Sequence, residues 1–107
     1  MTDIQEAKLA ETGAKLKQKY GERADFLKAN ITAEDDLKQL MARAMGAWGG
    51  LDVFVANAGV LVSGSITTFE VAQWRKVLEV NLIGVMICMK YALAVMEQQG
   101  SGSFIEI

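Results

Sequence analysis

Helical and strand-like stretches alternate along this chain of 107 residues, and the alternation constrains its fold more than any other feature. Apolar spacing predicts helices over residues 4–20, 32–48 and 68–99, and short apolar runs predict strands over 25–30, 51–56 and 104–107. Strands that alternate with helices pair in parallel and are joined by right-handed crossovers. The sequence therefore predicts one α/β domain, residues 1–107, with a doubly wound parallel sheet.

Polar residues and glycines mark where the predicted helices begin and end. Gly21 follows the first helix and is expected to stop it. Thr32 with Asp35, and Thr67 with Glu70, have the spacing of a capping box, in which two side chains bond each other's backbone N–H groups. These pairs predict where the second and third helices start.

Three glycines before the strand at 51–56 have two interpretations. Gly46, Gly49 and Gly50 suggest a phosphate-binding loop, but no Lys-Ser or Lys-Thr pair follows them. Glycine also ends helices, because it adopts the left-handed backbone conformation without strain. We interpret these glycines as the end of a helix, with phosphate binding as the weaker alternative.

The two segments that follow are strongly apolar. LDVFVA, residues 51–56, shows no polar alternation after Asp52, which predicts a central parallel strand covered on both faces. Helix 68–99 is apolar on most sides from Val77 onward, so we expect it to be buried by a sheet and helices or by a subunit interface. A membrane span is not expected, because Glu79 and Lys90 leave only Val80–Met89 free of charge.

The composition excludes several classes of function. With a net charge of −2 and no cluster of lysine or arginine, the chain is not expected to bind nucleic acid. The absence of histidine excludes a Ser-His-Asp triad and histidine-bearing metal sites. The one cysteine, Cys88, has apolar neighbours and is expected to be a buried thiol in a reducing compartment. Because its start is no secretory signal, the chain is predicted to be cytoplasmic.

Four segments occur in the order and spacing of a known family. They are NIT at residues 30–32, LDVFVANAGV at 51–60, WRKVLEVNLIGV at 74–85 and GSFIEI at 102–107. Together they resemble the short-chain dehydrogenase/reductase family. The resemblance implies a partial Rossmann-like sheet and, in the full-length family context, an oxidoreductase that uses NAD or NADP to transfer hydride to or from a small carbonyl or alcohol substrate. It also implies a homo-oligomer, because the long helix often lies in a subunit interface of this family.

The resemblance implies cofactor contacts at two places. Asn57, Ala58 and Gly59 match the turn after the family's fourth strand, beside the ribose and nicotinamide. Asn30, followed by Ile31, matches the position where the family's aspartate accepts a bond from the adenine amino group, a bond that an asparagine oxygen accepts more weakly. Without the resemblance, the first group is a strand-to-loop turn and Asn30 is a loop residue.

Asp3 and Asn81 complete the implied site. Asp3 lies where many NAD-preferring members carry an acid that binds the adenosine ribose, which weakly favours NAD, although an acid before a helix also caps it. Asn81 corresponds to the asparagine of the family's catalytic tetrad, where a local irregularity in the helix holds a water in a proton relay. The alternative for Asn81 is a polar core residue whose amide is satisfied by its neighbours.

The family's other catalytic residues have no match in these 107 residues. Neither Tyr20 nor Tyr91 is followed by the lysine of Tyr-x-x-x-Lys, and Ser103 precedes the last strand, whereas the family's serine follows it. The glycine-rich turn that holds the pyrophosphate has no match either. We therefore expect the isolated chain to be inactive and the strand at 25–30 to lack its usual neighbours. The alternative is a non-catalytic interaction module that associates through helix 68–99.

Overall fold

The computed structural model describes all 107 residues. It contains four short strands and four α-helices, with a π-helical segment between the last two helices. The residues form two compact units, Met1–Asn30 and Ile31–Ile107. The strands pair in parallel and helices connect the paired strands, which confirms the predicted α/β class. The single domain of residues 1–107 stays a prediction.

The first unit consists of two strands joined by a helix. In chain order it contains strand β1 (Thr2–Asp3), helix α1 (Glu6–Tyr20), a 3-10 turn (Gly21–Arg23) and strand β2 (Leu27–Lys28). The sequence did not predict β1, which pairs in parallel with β2 through Thr2↔Leu27 and Asp3↔Lys28. The strand at 25–30, which was expected to lack its usual neighbours, thus has a partner in two residues near the start of the chain.

Helix α1 ends at Gly21, as predicted. The backbone there has a φ of 60°, a left-handed value that favours glycine, and its N–H bonds to the Lys17 carbonyl. Leu9 and Gly13 are the buried residues of the helix, one turn apart. The ring of Phe26 fills the space that a side chain at position 13 would need, so Gly13 allows the helix to approach the segment before β2 closely.

Helix α2 (Glu34–Trp48) starts two residues after Thr32, the predicted capping residue. Its N-cap residue is Ala33, and no side chain caps it. The first turn instead carries three acidic residues, whose negative charges stabilise the positive end of the helix dipole: Glu34, Asp35 and Asp36. Gly49, with a left-handed φ of 74°, follows the last turn. This confirms the predicted end of the helix.

Strand β3 (Val53–Ala56) pairs in parallel with β4 (Ser103–Glu106) along their whole lengths. The rings of Phe54 and Phe104 stack across the pair, with centroids 5.4 Å apart. The prediction of a central strand covered on both faces is wrong here, because Val53 and Val55 are 54% and 51% exposed. A helix covers only the face that carries Phe54 and Ala56, and β4 is the one strand beside β3.

The predicted helix 68–99 is divided into α3 (Val71–Leu78), a π segment (Glu79–Gly84) and α4 (Val85–Gln99). It begins later than predicted, because Glu70 and Gln73 form the capping box, not Thr67 and Glu70. Gln73 Oε1 accepts the Glu70 N–H at 3.1 Å. Thr67 belongs to a separate turn, in which its hydroxyl bonds that of Ser65 at 2.8 Å.

The core of the second unit lies where α2 and α4 pack together. Leu37 and Met41 are buried on α2, and four residues at helical spacing are buried on α4: Val85, Cys88, Ala92 and Met96. The rest of the long helix is mostly exposed, so only one of the sides expected to be buried is covered. By length and composition the stretch Val71–Gln99 meets the criteria for a membrane span, as core helices of soluble proteins also do.

Candidate active site

The π segment presents Asn81 to the loop after β3. Asn81 Oδ1 accepts the Val60 N–H at 2.8 Å, and Asn81 Nδ2 donates to the Val60 carbonyl at 2.9 Å. One amide side chain therefore pairs with both backbone groups of one residue. The irregular helix implied by the resemblance is present, and such π turns often occur at functional sites. Asn81 is exposed, so it is not the polar core residue of the alternative interpretation.

The turn Asn57–Gly59 lies at the carboxyl end of β3, and all three of its residues are exposed. This end of a parallel strand is where open α/β sheets bind ligands. A Cβ on Gly59 would lie 3.5 Å from Asn81 Oδ1, which is an ordinary contact, and its φ is not positive. The fold therefore leaves room for a side chain at position 59.

Ile31 packs on the same π segment. Gly84, the last residue of that segment, is buried, and a Cβ placed there would lie 2.7 Å from Ile31 Cδ1. The structure thus brings three predicted site elements to one stretch of helix: Ile31, the turn Asn57–Gly59 and Asn81.

Two further predicted residues, Asp3 and Asn30, belong to the first unit. Asp3 is exposed, and its Oδ1 accepts the Gln5 N–H at 2.7 Å. Because Gln5 is itself the N-cap residue of α1, Asp3 does not occupy the capping position. Asn30 follows β2 and is half-buried. The Ala29 N–H bonds to the Asp3 carbonyl at 3.2 Å, so Asp3 and Asn30 lie at the same edge of the β1–β2 pair.

A group of polar side chains joins α2 to α4 outside the predicted site. Glu34 Oε2 accepts bonds from the Tyr91 hydroxyl and from Lys90 Nζ, the latter at 2.9 Å. These bonds lower the pKa of Glu34. The hydrogen bond to Glu34 raises the pKa of Tyr91, and burial raises it to a smaller extent. A tyrosine that exchanges protons near neutral pH needs the opposite shift. The shift of the Tyr91 pKa is therefore opposite to the one that a catalytic tyrosine needs.

Cys88 is a buried free thiol, as predicted. Burial raises its pKa above the ordinary value. Because the thiolate is the reactive form, this shift makes Cys88 a packing residue and not a nucleophile.

Four residues that shape these sites were not predicted from the sequence. Val60 contributes only backbone atoms to Asn81, and no side-chain pattern indicates such a role. Glu34 and Tyr91 are 57 positions apart, too far for local spacing to reveal. Gly84 did leave a signal, because a glycine inside an apolar helix is unfavourable and usually has a packing reason.

Comparison with known proteins supports the family resemblance along the whole chain. The family model described as short chain dehydrogenase matches residues 1–107. The chain is 41% identical over 88 residues to cis-4-hydroxycyclohexanecarboxylate dehydrogenase of Sinomonas cyclohexanicum, covering 81% of this chain and 35% of that protein. It is 31% identical over 99 residues to 3-alpha-(or 20-beta)-hydroxysteroid dehydrogenase of Mycobacterium bovis, covering 92% of this chain and 38% of that protein.

Solved structures share the fold. Levodione reductase matches with a TM-score of 0.84 at 26% identity, covering 98% of this chain and 42% of that one. A short-chain dehydrogenase/reductase of Burkholderia xenovorans matches with a TM-score of 0.83 at 29% identity, covering 98% of this chain and 41% of that one. The chain thus spans less than half the length of each relative. With a Rossmann-like fold and a family match over all its residues, it belongs to the short-chain dehydrogenase/reductase family of oxidoreductases.

Proposed function

We propose that these residues are the middle part of an NAD(P)-dependent oxidoreductase that moves a hydride between the nicotinamide and a small alcohol or carbonyl compound. The observation that carries the proposal is the pairing of Asn81 with Val60. It fixes a polar amide beside the exposed turn Asn57–Gly59, at the end of a parallel strand where ligands bind. Family membership supports the class of reaction.

The residues present suit a dinucleotide, which would supply or accept the hydride when bound. The exposed Asp3 carboxylate has one oxygen bonded to Gln5 and keeps acceptor sites for ribose hydroxyls. We assign Asp3 to the adenosine ribose, where its charge favours NAD by repelling a 2′-phosphate. Asn30 and Ile31 are assigned to the adenine, and Asn57–Gly59 to the ribose and nicotinamide.

Asn81 is assigned to the proton relay, as a residue that holds a water. Beyond its bonds to Val60, the amide keeps a second lone pair on oxygen and a second hydrogen on nitrogen. Because Asn81 is exposed, water reaches it without rearrangement of the fold. A water bound there is able to accept and pass on a proton.

For the substrate we propose an alcohol carried on a saturated ring. Two relatives are named for such alcohols, a hydroxycyclohexanecarboxylate and a hydroxysteroid. Cis-4-hydroxycyclohexanecarboxylate is therefore the first compound to test. The cytoplasm is the proposed location, supported by the single reduced and buried Cys88.

The coding sequence around these codons tests the proposal. We expect an upstream Thr-Gly-x-x-x-Gly-x-Gly and a downstream serine and Tyr-x-x-x-Lys in the same reading frame. The product of that frame should reduce NAD with cis-4-hydroxycyclohexanecarboxylate. Stop codons on both sides of the frame would overturn the proposal of an oxidoreductase, whereas activity with another ring alcohol would overturn only the choice of substrate.

An exposed apolar surface favours a second candidate function, association with another copy. Six apolar residues repeat every three or four positions on the exposed side of α3, the π segment and α4: Val71, Trp74, Leu78, Leu82, Met86 and Met89. An exposed apolar row of this length indicates an interaction surface. We name these six residues the helix stripe.

The spacing of the helix stripe fits a second copy in antiparallel orientation. The six residues are arranged symmetrically about Val80. An antiparallel pair of helices centred on Val80 therefore places Val71 opposite Met89, Trp74 opposite Met86 and Leu78 opposite Leu82 of the other copy. This symmetry supports a homo-oligomer and also the alternative of a non-catalytic interaction module.

Charged variants of one facing pair test this arrangement by sedimentation. Leu78→Glu and Leu82→Lys should each shift the chain towards the monomer, because each places a charge against an apolar side chain of the other copy. The double variant should regain the oligomer. A monomeric unsubstituted chain, or no recovery in the double variant, would overturn the antiparallel arrangement.

A further inference from the structure

Gly84 is a buried glycine inside a long helix, where alanine is intrinsically more favourable. Its lack of a side chain has a visible reason. A Cβ at this position would lie 2.7 Å from Ile31 Cδ1 and 2.8 Å from Ile31 Cγ1, much closer than the separation of about 3.5–4.0 Å at which carbon atoms attract. Ile31 thus occupies the space that a side chain at position 84 would need.

Gly84 closes the same π segment that carries Asn81. The segment is held at two points, by the hydrogen bonds between Asn81 and Val60 and by the packing of Ile31 at Gly84. A π turn is rare because its hydrogen-bonding pattern departs from that of the surrounding α-helix. Contacts on each side are therefore needed to keep the turn in one register.

We propose that Ile31 and Gly84 are a positioning pair for Asn81. By packing into the space above Gly84, Ile31 fixes the end of the π segment, and this keeps the Asn81 amide aligned with the backbone of Val60. The structural role does not depend on the reaction. Its consequence for proton transfer rests on the proposed function, so the test below uses no catalytic readout.

Hydrogen exchange of single amides, followed by NMR, tests the pair. The Val60 N–H reports the bond to Asn81, and the Ser103 N–H, bonded to the Asp52 carbonyl at 2.9 Å, reports the β3–β4 sheet. Gly84→Ala should lower the protection of Val60 by about tenfold or more, the effect expected of overpacking, and lower that of Ser103 much less. Gly46→Ala is the matched control, because open space surrounds Gly46 in α2, and it should leave Val60 unchanged.

Rescue distinguishes positioning from a general loss of stability. Ile31→Ala removes the atoms that meet the new Cβ, so Ile31→Ala combined with Gly84→Ala should restore most of the protection that Gly84→Ala loses. Three results would each overturn the proposal. They are an unprotected Val60 amide in the unsubstituted chain, equal losses at Val60 and Ser103 in Gly84→Ala, and no recovery in the double variant.

Discussion

The side chain of Gln99 bonds both backbone groups of Leu51, as a neighbouring strand would. Its removal should measurably lower the free energy of unfolding. Gln99 Oε1 accepts the Leu51 N–H at 2.6 Å, and Gln99 Nε2 donates to the Leu51 carbonyl at 3.0 Å and to the Ser101 carbonyl at 3.1 Å. The last residue of α4 thereby fixes the entrance to β3. Gln99→Leu keeps the size and helix propensity of the side chain and removes all three bonds.

The size of the effect follows from the number of bonds and their exposure. Each bond contributes about 0.5–1.5 kcal/mol net, and Leu51 and Gln99 are only half-buried, so water replaces part of the loss. We therefore expect Gln99→Leu to lower the free energy of unfolding by about 2 kcal/mol. With a urea dependence of about 1–2 kcal/mol per molar, the midpoint should fall by about 1–2 M.

Urea unfolding followed by circular dichroism and tryptophan fluorescence measures this midpoint. Gln98→Leu is the matched control, because Gln98 is exposed on the same helix turn, and it should change stability by less than about 0.5 kcal/mol. Gln99→Glu should be destabilised at neutral pH, where its carboxylate faces two carbonyls, and should recover when acid protonates it. Equal midpoints for Gln99→Leu and Gln98→Leu would refute the reasoning.

Three further predictions concern the core, the polar group between α2 and α4, and catalysis. Leu37 is completely buried, so Leu37→Ala should lower the free energy of unfolding by about 2–5 kcal/mol, whereas Leu40→Ala, at a half-buried position, should cost less; urea unfolding of both variants decides. The pKa of Glu34 is lowered from 4.5, so its contribution to stability is present above about that pH and is lost as the pH falls through the lower folded value. Glu34→Gln should therefore lose stability at neutral pH and decline less in acid, and unfolding curves of equal shape from pH 7 downwards would contradict this. The purified chain of 107 residues should show no oxidation or reduction of a nicotinamide with any alcohol or carbonyl compound, and turnover above a blank in the absorbance assay would show that expectation to be wrong.

Much of the fold was predictable because its signals are local. Gly21 and Gly49 ended their helices as expected, since the left-handed conformation after a helix favours glycine wherever it occurs. The start of α3 was misplaced because two overlapping capping boxes compete at that point. Thr67 and Glu70 fit one pattern and Glu70 with Gln73 fits the other, and only the assembled turn around Ser65 selects between them.

The residues of the candidate site were predicted from the family resemblance, whereas their hydrogen bonds to distant residues were not. Asn81 was singled out as an amide that needs partners in an apolar helix, but its partner is the backbone of Val60, 21 positions away. Backbone groups are identical in every residue, so no sequence pattern identifies which one a distant side chain will bond. The roles of Asp3, Asn30, Ile31 and Asn57–Gly59 in binding a cofactor, and of Asn81 in catalysis, stay predictions.

The sequence by itself determined the alternation of helices and strands, the parallel class of the sheet, the ends of two helices and membership in the family. These features depend on residues close together in the chain or on segments whose order is fixed. Tertiary structure alone decided that β1 pairs with β2, that one face of β3 stays exposed, and that Ile31 packs at Gly84. These depend on distances between residues far apart in sequence, which are set only when the elements pack together.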